Sequence, residues 1–169
     1  MGHWITRLLK HRRFDERDAQ RLLGAGALQR VQARVVASET GHSGEIRVCV
    51  EAGLPWSYLR RGATPRERAV AMFGKLRVWD TESNNGVLIY LLVAEHAIEI
   101  VADRGLARRV DQVAWQNITA TMKAAFRRGE FEAGLNQAVD AVDALLRKHF
   151  ALAPGEANPN ELPDTPDLR

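Results

Sequence analysis

The sequence predicts an α/β protein: a three-layer α/β/α sandwich around a central mixed β-sheet that contains an antiparallel hairpin. Three observations lead there. Val87, Leu88, Ile89, Tyr90, Leu91, Leu92 and Val93 form an apolar run without alternation. Such a strand is buried on both faces, so helices must cover both sides of its sheet. Only Ala94, Glu95 and His96 separate it from a second strand at 97–102, a connection too short for a parallel crossover. Apolar residues recur at helical spacing before and after this pair.

The elements follow in chain order. Residues 3–13 mix Trp4, Ile5, Leu8 and Leu9 with basic side chains. They predict a short amphipathic helix that rests on its own domain, on a partner or on a membrane surface, the first being commonest. Asp15, with Asp18 three residues on, is placed to cap a helix. Leu22, Leu23, Leu28, Val31, Val35 and Val36 continue one long helical pattern, weakened at Gly24 and Gly26 and ended near Gly41. Residues 44–51 alternate, with Ile46, Val48 and Val50 on one side and Glu45, Arg47, Cys49 and Glu51 on the other. Arg47 and Glu99 would pair if their strands were neighbours.

A loop with Gly53, Pro55 and Trp56 leads to Thr64 and Pro65, a cap and a first helical residue. That helix presents Ala69, Val70, Met72, Phe73 and Leu76. After the hairpin, residues 107–128 align Val110, Val113, Ile118, Met122 and Phe126. Residues 131–149 align Leu135, Ala138, Val139, Val142, Leu145 and Leu146, with Gly129 between the two helices. Pro154, Gly155, Pro159, Pro163 and Pro166 mark an extended, flexible tail. The expected organisation is an amphipathic segment at 1–13, one α/β domain at 14–150 and a Pro-rich tail at 151–169.

Composition narrows the function classes. The 169 residues suffice for one domain with a real core. No apolar run approaches the ~18 residues of a membrane span. The N-terminal residues lack an apolar h-region and a small-residue cleavage site, so no secretory signal is expected. Cys49 is the only cysteine, which rules out an intramolecular disulfide and makes a reducing cytoplasm the expected compartment. Its place in a strand makes it a small core residue rather than a nucleophile.

The net charge of +3 is unevenly spread. Arg7, Lys10, Arg12 and Arg13 crowd the start, and Arg60, Arg61, Arg66, Arg68, Lys75 and Arg77 crowd a second region opposed only by Glu67. Most such arginines cover solvated helix faces. Without zinc-finger spacing, an aromatic RNP strand or a GxxG loop, no nucleic-acid partner is expected.

The chemistry-bearing residues gather beside the hairpin. Asp80, Thr81, Glu82, Ser83, Asn84, Asn85 and Gly86 offer only oxygen and amide donors, which suit calcium or magnesium. They do not make an EF-hand, because Asn85 and Leu91 stand where its glycine and bidentate glutamate belong. The plainer alternative is a polar turn in which Asn85 and Gly86 supply unusual backbone angles. Asp103 either binds a cation or caps the next helix. Arg104 either forks a phosphate or carboxylate or joins a structural ion pair. Asp111 lies where a carboxylate also favours a helix start. No GxSxG elbow, Walker A motif, GxGxxG or Cys–His pair is present, and the five histidines are scattered.

Trp79 before a polar loop, then Asn84, Asn85, Gly86, Val87, Leu88, Ile89, Tyr90 and Leu91, resembles the core of the TPM-domain family. That family includes thylakoid-lumen and photosystem II repair proteins, a worm receptor modulator and many bacterial proteins. The resemblance extends to Gly44, Glu45, Ile46, Arg47 and Val48, to Arg104, Gly105 and Leu106 with Asp111, and to the junction from Phe126 through Gly129 and Phe131 to Leu135. It covers about residues 15–150.

The resemblance implies an α/β/α sandwich and an acidic cleft near the strand ends. It also implies calcium or magnesium binding, and in some members a phosphatase-like activity. Asp80, Asn85 and Asp111 fall on family-like positions. Asp103 stands where the family has a glycine, and Ala107 where it often has a glutamate. The family's export signal and C-terminal anchor have no counterpart here, which points to a cytoplasmic bacterial branch, peripheral at the inner membrane if it meets one.

The expected function is a binding or accessory module for an as yet unknown protein partner, with a calcium or magnesium ion at Asp80, Glu82, Asn85 and Asp103. One alternative is a metal-assisted phosphatase in which Asp103, Asp80 and Asp111 hold the ion and Arg104 steadies the phosphoryl group. Another is peripheral membrane contact through residues 1–13.

Overall fold

The computed structural model describes residues 2–169, with side chains from residue 5 onward. Its centre is a mixed sheet of β1 (Ile46–Glu51), β2 (Val87–Leu92), β3 (Ala97–Ala102) and β4 (Asp167–Leu168), in the order β3-β2-β1-β4. β1 runs parallel to β2 and to β4, whereas β2 and β3 form the expected antiparallel hairpin. The hairpin turns through a short 3₁₀ segment, Val93–Glu95, and His96 at φ 50°.

Strand alternation builds two cores. Ile46, Val48 and Val50 with Val87, Ile89 and Leu91 face one side. They meet Val31 and Val35 of α3 (Ala27–Glu39), Met122 and Phe126 of α7 (Gln112–Arg127), and Leu135, Val139 and Val142 of α8 (Phe131–Phe150). Cys49, Leu88, Tyr90 and Leu92 face the other side, against Leu59 of α4 (Trp56–Arg60) and Ala69 and Met72 of α5 (Pro65–Lys75). The three layers predicted from the doubly apolar strand are therefore present, and Cys49 is a core residue.

The caps follow local chemistry. Asp15 and Asp18 form a reciprocal capping box at α2 (Glu16–Leu23), and Thr64 and Glu67 form another at α5. Gly24 and Gly26 have φ of 93° and 71°, so they break the one long helix expected there into α2 and α3. The helix expected at 107–128 begins only at Gln112, as α7, because Asp111 caps it, and a separate single turn, α6 (Arg104–Ala107), precedes it. Residues 56–60, expected as loop, form α4. Val70 and Val113, expected on buried helix faces, are 50% and 61% exposed.

The N-terminal helix α1 (Gly2–Arg12) docks on its own domain. Arg7 and His11 both reach Glu95, at 2.7 and 2.8 Å, and His11 Nδ1 accepts the Leu54 N–H. Ile5 and Leu9 remain outward, while the expected contribution of Trp4 lies outside the described side chains.

The Pro-rich segment lies against the domain. Leu162 is buried, Asn158 donates to the His42 and Gly44 carbonyls, and β4 closes the β1 edge. Arg47 donates to the Pro163 and Thr165 carbonyls of this segment. The Arg47–Glu99 pair does not form, because β2 lies between their strands; Glu99 faces Arg66 at 3.6 Å. No helix among the described residues is long and apolar enough to cross a membrane.

Candidate functional site

The register aligns Ile46, Val87 and Ala102, so the starts of β1 and β2 and the end of β3 share one end of the sheet. The polar loop before β2 and the corner after β3 meet there through their backbones. Asp103 N–H donates to the Gly86 carbonyl and Gly105 N–H to the Asn84 carbonyl, both at 2.8 Å. A side-chain carbon at Gly105 would lie 2.6 Å from the Ser83 carbonyl oxygen and closer still to that of Asn84. One at Gly86 would strike the Val78 carbonyl. The two glycines are thus required by close backbone approach, and Asn84 takes a left-handed φ of 51°.

This junction leaves two buried oxygens unused. Asn85 is buried; its N–H donates to Thr81 Oγ1 and its Nδ2 to Ser43 Oγ, while Oδ1 has no partner. Asp103 Oδ1 accepts the Arg104 N–H at 2.6 Å, while Oδ2 is buried without a partner. A buried acceptor left empty costs about 1–3 kcal/mol, and an oxygen of this type suits a hard cation.

The other predicted ligands are less committed. Asp80 and Glu82 are exposed on the solvent side of the loop, and the Glu82 N–H donates to the Glu161 carboxylate. Asp111 Oδ1 is taken by the Ala114 N–H as a helix cap. Among the described residues, no group of three or more His, Cys, Asp or Glu side chains converges to hold a metal ion. Of the predicted oxygen donors, Asn85 and Asp103 are the ones with a buried oxygen that has no partner.

Arg104 Nε donates to Asn84 Oδ1 at 3.2 Å rather than to a carboxylate. It borders a cavity of about 300 Å³ with Ser83, Asn84, Gly105, Arg108 and Arg109. Arg109 is held beside this cavity by the His149 carbonyl and the Phe150 ring.

A second carboxylate group escaped the sequence reading. Glu45 is fully buried, and its two oxygens accept the Glu161 and Leu162 N–H groups at 3.1 and 3.2 Å. Burial pushes its carboxyl up to about 7, against those two hydrogen bonds. Glu39 accepts the Ile46 N–H at 3.0 Å. Burial raises its carboxyl as well, and the charges of Glu45 and Asp164 add to the rise. The alternation of β1 had placed Glu45 opposite Ile46, but nothing local revealed that the tail would cover it.

Sheet, layers and strand-end junction together define an α/β/α module with a polar site at one end of the sheet. The chain belongs to the TPM domain family, whose profile matches residues 17–145. Among solved structures it is similar to the BA42 protein of the psychrophilic bacterium Bizionia argentinensis. That likeness is at 26% identity over 85% of this chain and 93% of the other, with a TM-score of 0.73. It also shares its fold with the N-terminal domain of a P. gingivalis protein, at 23% identity over 80% of this chain and 90% of the other, with a TM-score of 0.58. No curated protein matches the chain.

Proposed function

We propose that this TPM-type module binds a divalent, oxygen-preferring cation, calcium or magnesium, at the Asn85–Asp103 junction. The carrying observation is the pair of buried oxygens, Asn85 Oδ1 and Asp103 Oδ2, that lack hydrogen-bond partners on segments joined by a backbone bond. Asp80 and Glu82 stand on the solvent side of the same loop, where they add negative charge and further oxygen donors. Calorimetric titration with calcium and with magnesium tests this. One saturable site is expected, weakened at least tenfold in Asn85→Ala and in Asp103→Ala. Absence of heat with both ions, or heat unchanged in both variants, rejects it.

The arginine-lined cavity beside this junction favours a second reading, a metal-assisted phosphatase. A bound cation would supply an acidified water and neutralise phosphoryl charge. Arg104, Arg108 and Arg109 border a space where an anionic group would sit. Asp111 would contribute only its second oxygen, since the first is a cap. A phosphomonoester assay decides this reading. Turnover should vanish in Asp103→Asn and fall at least tenfold in Arg104→Ala; turnover that survives both changes is a contaminant's.

A further inference from the structure

The two edges of the sheet are finished differently. The β1 edge is closed by β4, a short extended piece of the same chain. Among the described residues, no strand lies beside the β3 edge. The bond from Asp103 N–H to the Gly86 carbonyl fixes the antiparallel alternation, so Glu99, Val101 and Asp103 bond toward β2. The backbone groups of Ile98, Ile100 and Ala102 therefore point outward. Among the described residues, one side chain occupies this row: Arg66 Nη1 donates to the Ile100 carbonyl at 2.5 Å.

Ile100 and Ala102 of this row floor a groove of about 640 Å³. Arg66 of α5 forms one wall, and Trp115, Thr119 and Lys123 of α7 form the other. Trp115 offers a half-buried aromatic face. The charges are unbalanced. Glu99 is matched by Arg66, and no carboxylate among the described residues pairs with Lys123.

We infer that the β3 edge is a docking groove for an extended, acidic and apolar segment of a partner protein, which joins the sheet as an additional strand. The outward donors and acceptors repeat every second residue, roughly 7 Å apart. An extended backbone matches that repeat along its length. Arg66 is 53% exposed and gives the Ile100 carbonyl the bond that an incoming N–H would give. Its release from the Ile100 carbonyl exchanges one hydrogen bond for another and leaves the guanidinium beside Glu99. Trp115 then receives an apolar side chain, and Lys123 an acidic one. The chain's own tail treats the β1 edge in the same manner.

The test uses the full chain and two acetylated hexapeptides, one alternating valine with aspartate and one alternating valine with lysine. Amide hydrogen exchange and NMR shifts are read at Ile98, Ile100 and Ala102. The acidic peptide should bind saturably, slow exchange at these three amides, and bind at least tenfold better than the lysine peptide. Lys123→Glu should abolish that preference without lowering the melting temperature. Ala102→Pro, which removes an outward N–H, should abolish binding. No protection at these amides, or equal binding of both peptides, overturns the proposal. Protection that instead rises with protein concentration alone, together with a doubled mass, makes a second copy the occupant and overturns it too.

Discussion

Arg68 holds both carboxylate oxygens of Glu51 inside the core, with Nε 2.8 Å from Oε2 and Nη2 2.5 Å from Oε1. Tyr90 Oη donates to the same carboxylate at 2.6 Å, and the pair's side chains are only 5% and 4% exposed. Two charges removed from water are tolerable because the fork geometry is bidentate and a third donor completes the acceptor. Removing one partner strands the other. Arg68→Met should cost about 3–5 kcal/mol in urea unfolding. Adding Glu51→Gln should recover much of that, because no net charge remains buried and Tyr90 keeps an acceptor.

Glu45 and Glu39 should make stability depend on pH in the less usual direction. The ordinary value is 4.5, and burial raises both in the folded chain, Glu45 to about 7. Between those values the native state holds protons that the unfolded chain has released. Their contribution is therefore fully present below about 4.5 and is lost as pH rises through about 7 for Glu45 and about 8 for Glu39. Melting curves from pH 5 to pH 8 should show the wild type losing stability relative to a Glu45→Gln variant. A constant difference across that range would contradict the assignment.

Gly105 is constrained by space rather than by φ. A methyl group there meets the Ser83 and Asn84 carbonyls, both backbone atoms that cannot rotate away. Gly105→Ala should cost about 1–3 kcal/mol. It should also weaken the calorimetric cation signal, because it pushes the 80–86 loop off the corner at Asp103.

Leu162 anchors the C-terminal segment at 7% exposure, beside the N–H groups that Glu45 accepts. Leu162→Ala should destabilise by about 2–5 kcal/mol. Limited proteolysis should then cut first within residues 153–166, while the remainder of the domain persists.

Much of the fold was legible because its signals are local. Residues 87–93 demanded two covering layers, the three-residue turn demanded a hairpin, and Thr64 with Pro65 marked a helix start. What failed was nonlocal or ambiguous. Cys49 pairs in register with Asp167, 118 positions away, and no periodicity reports such a partner. Gly24 and Gly26 stood out in the sequence, yet whether they weaken or break a helix depends on a backbone angle. The site was half legible for a related reason. An aspartate before a helix serves equally as ligand and as cap, and the fold uses Asp111 as a cap while leaving one Asp103 oxygen free.

The fit of β4 against β1 also gives the chain a built-in clock. Cys49 is its only thiol, fully buried, and its Sγ donates to Asp167 Oδ2 at 3.5 Å. Burial pushes that thiol up, so an alkylating reagent finds almost no thiolate while the strand is seated. Each departure of β4 would remove the Asp167 acceptor and one side of the sulfur's cover, while the layer of α4 and α5 stays over it. The labelling rate of the unmodified protein thus reports openings that loosen this corner of the core, β4 release among them.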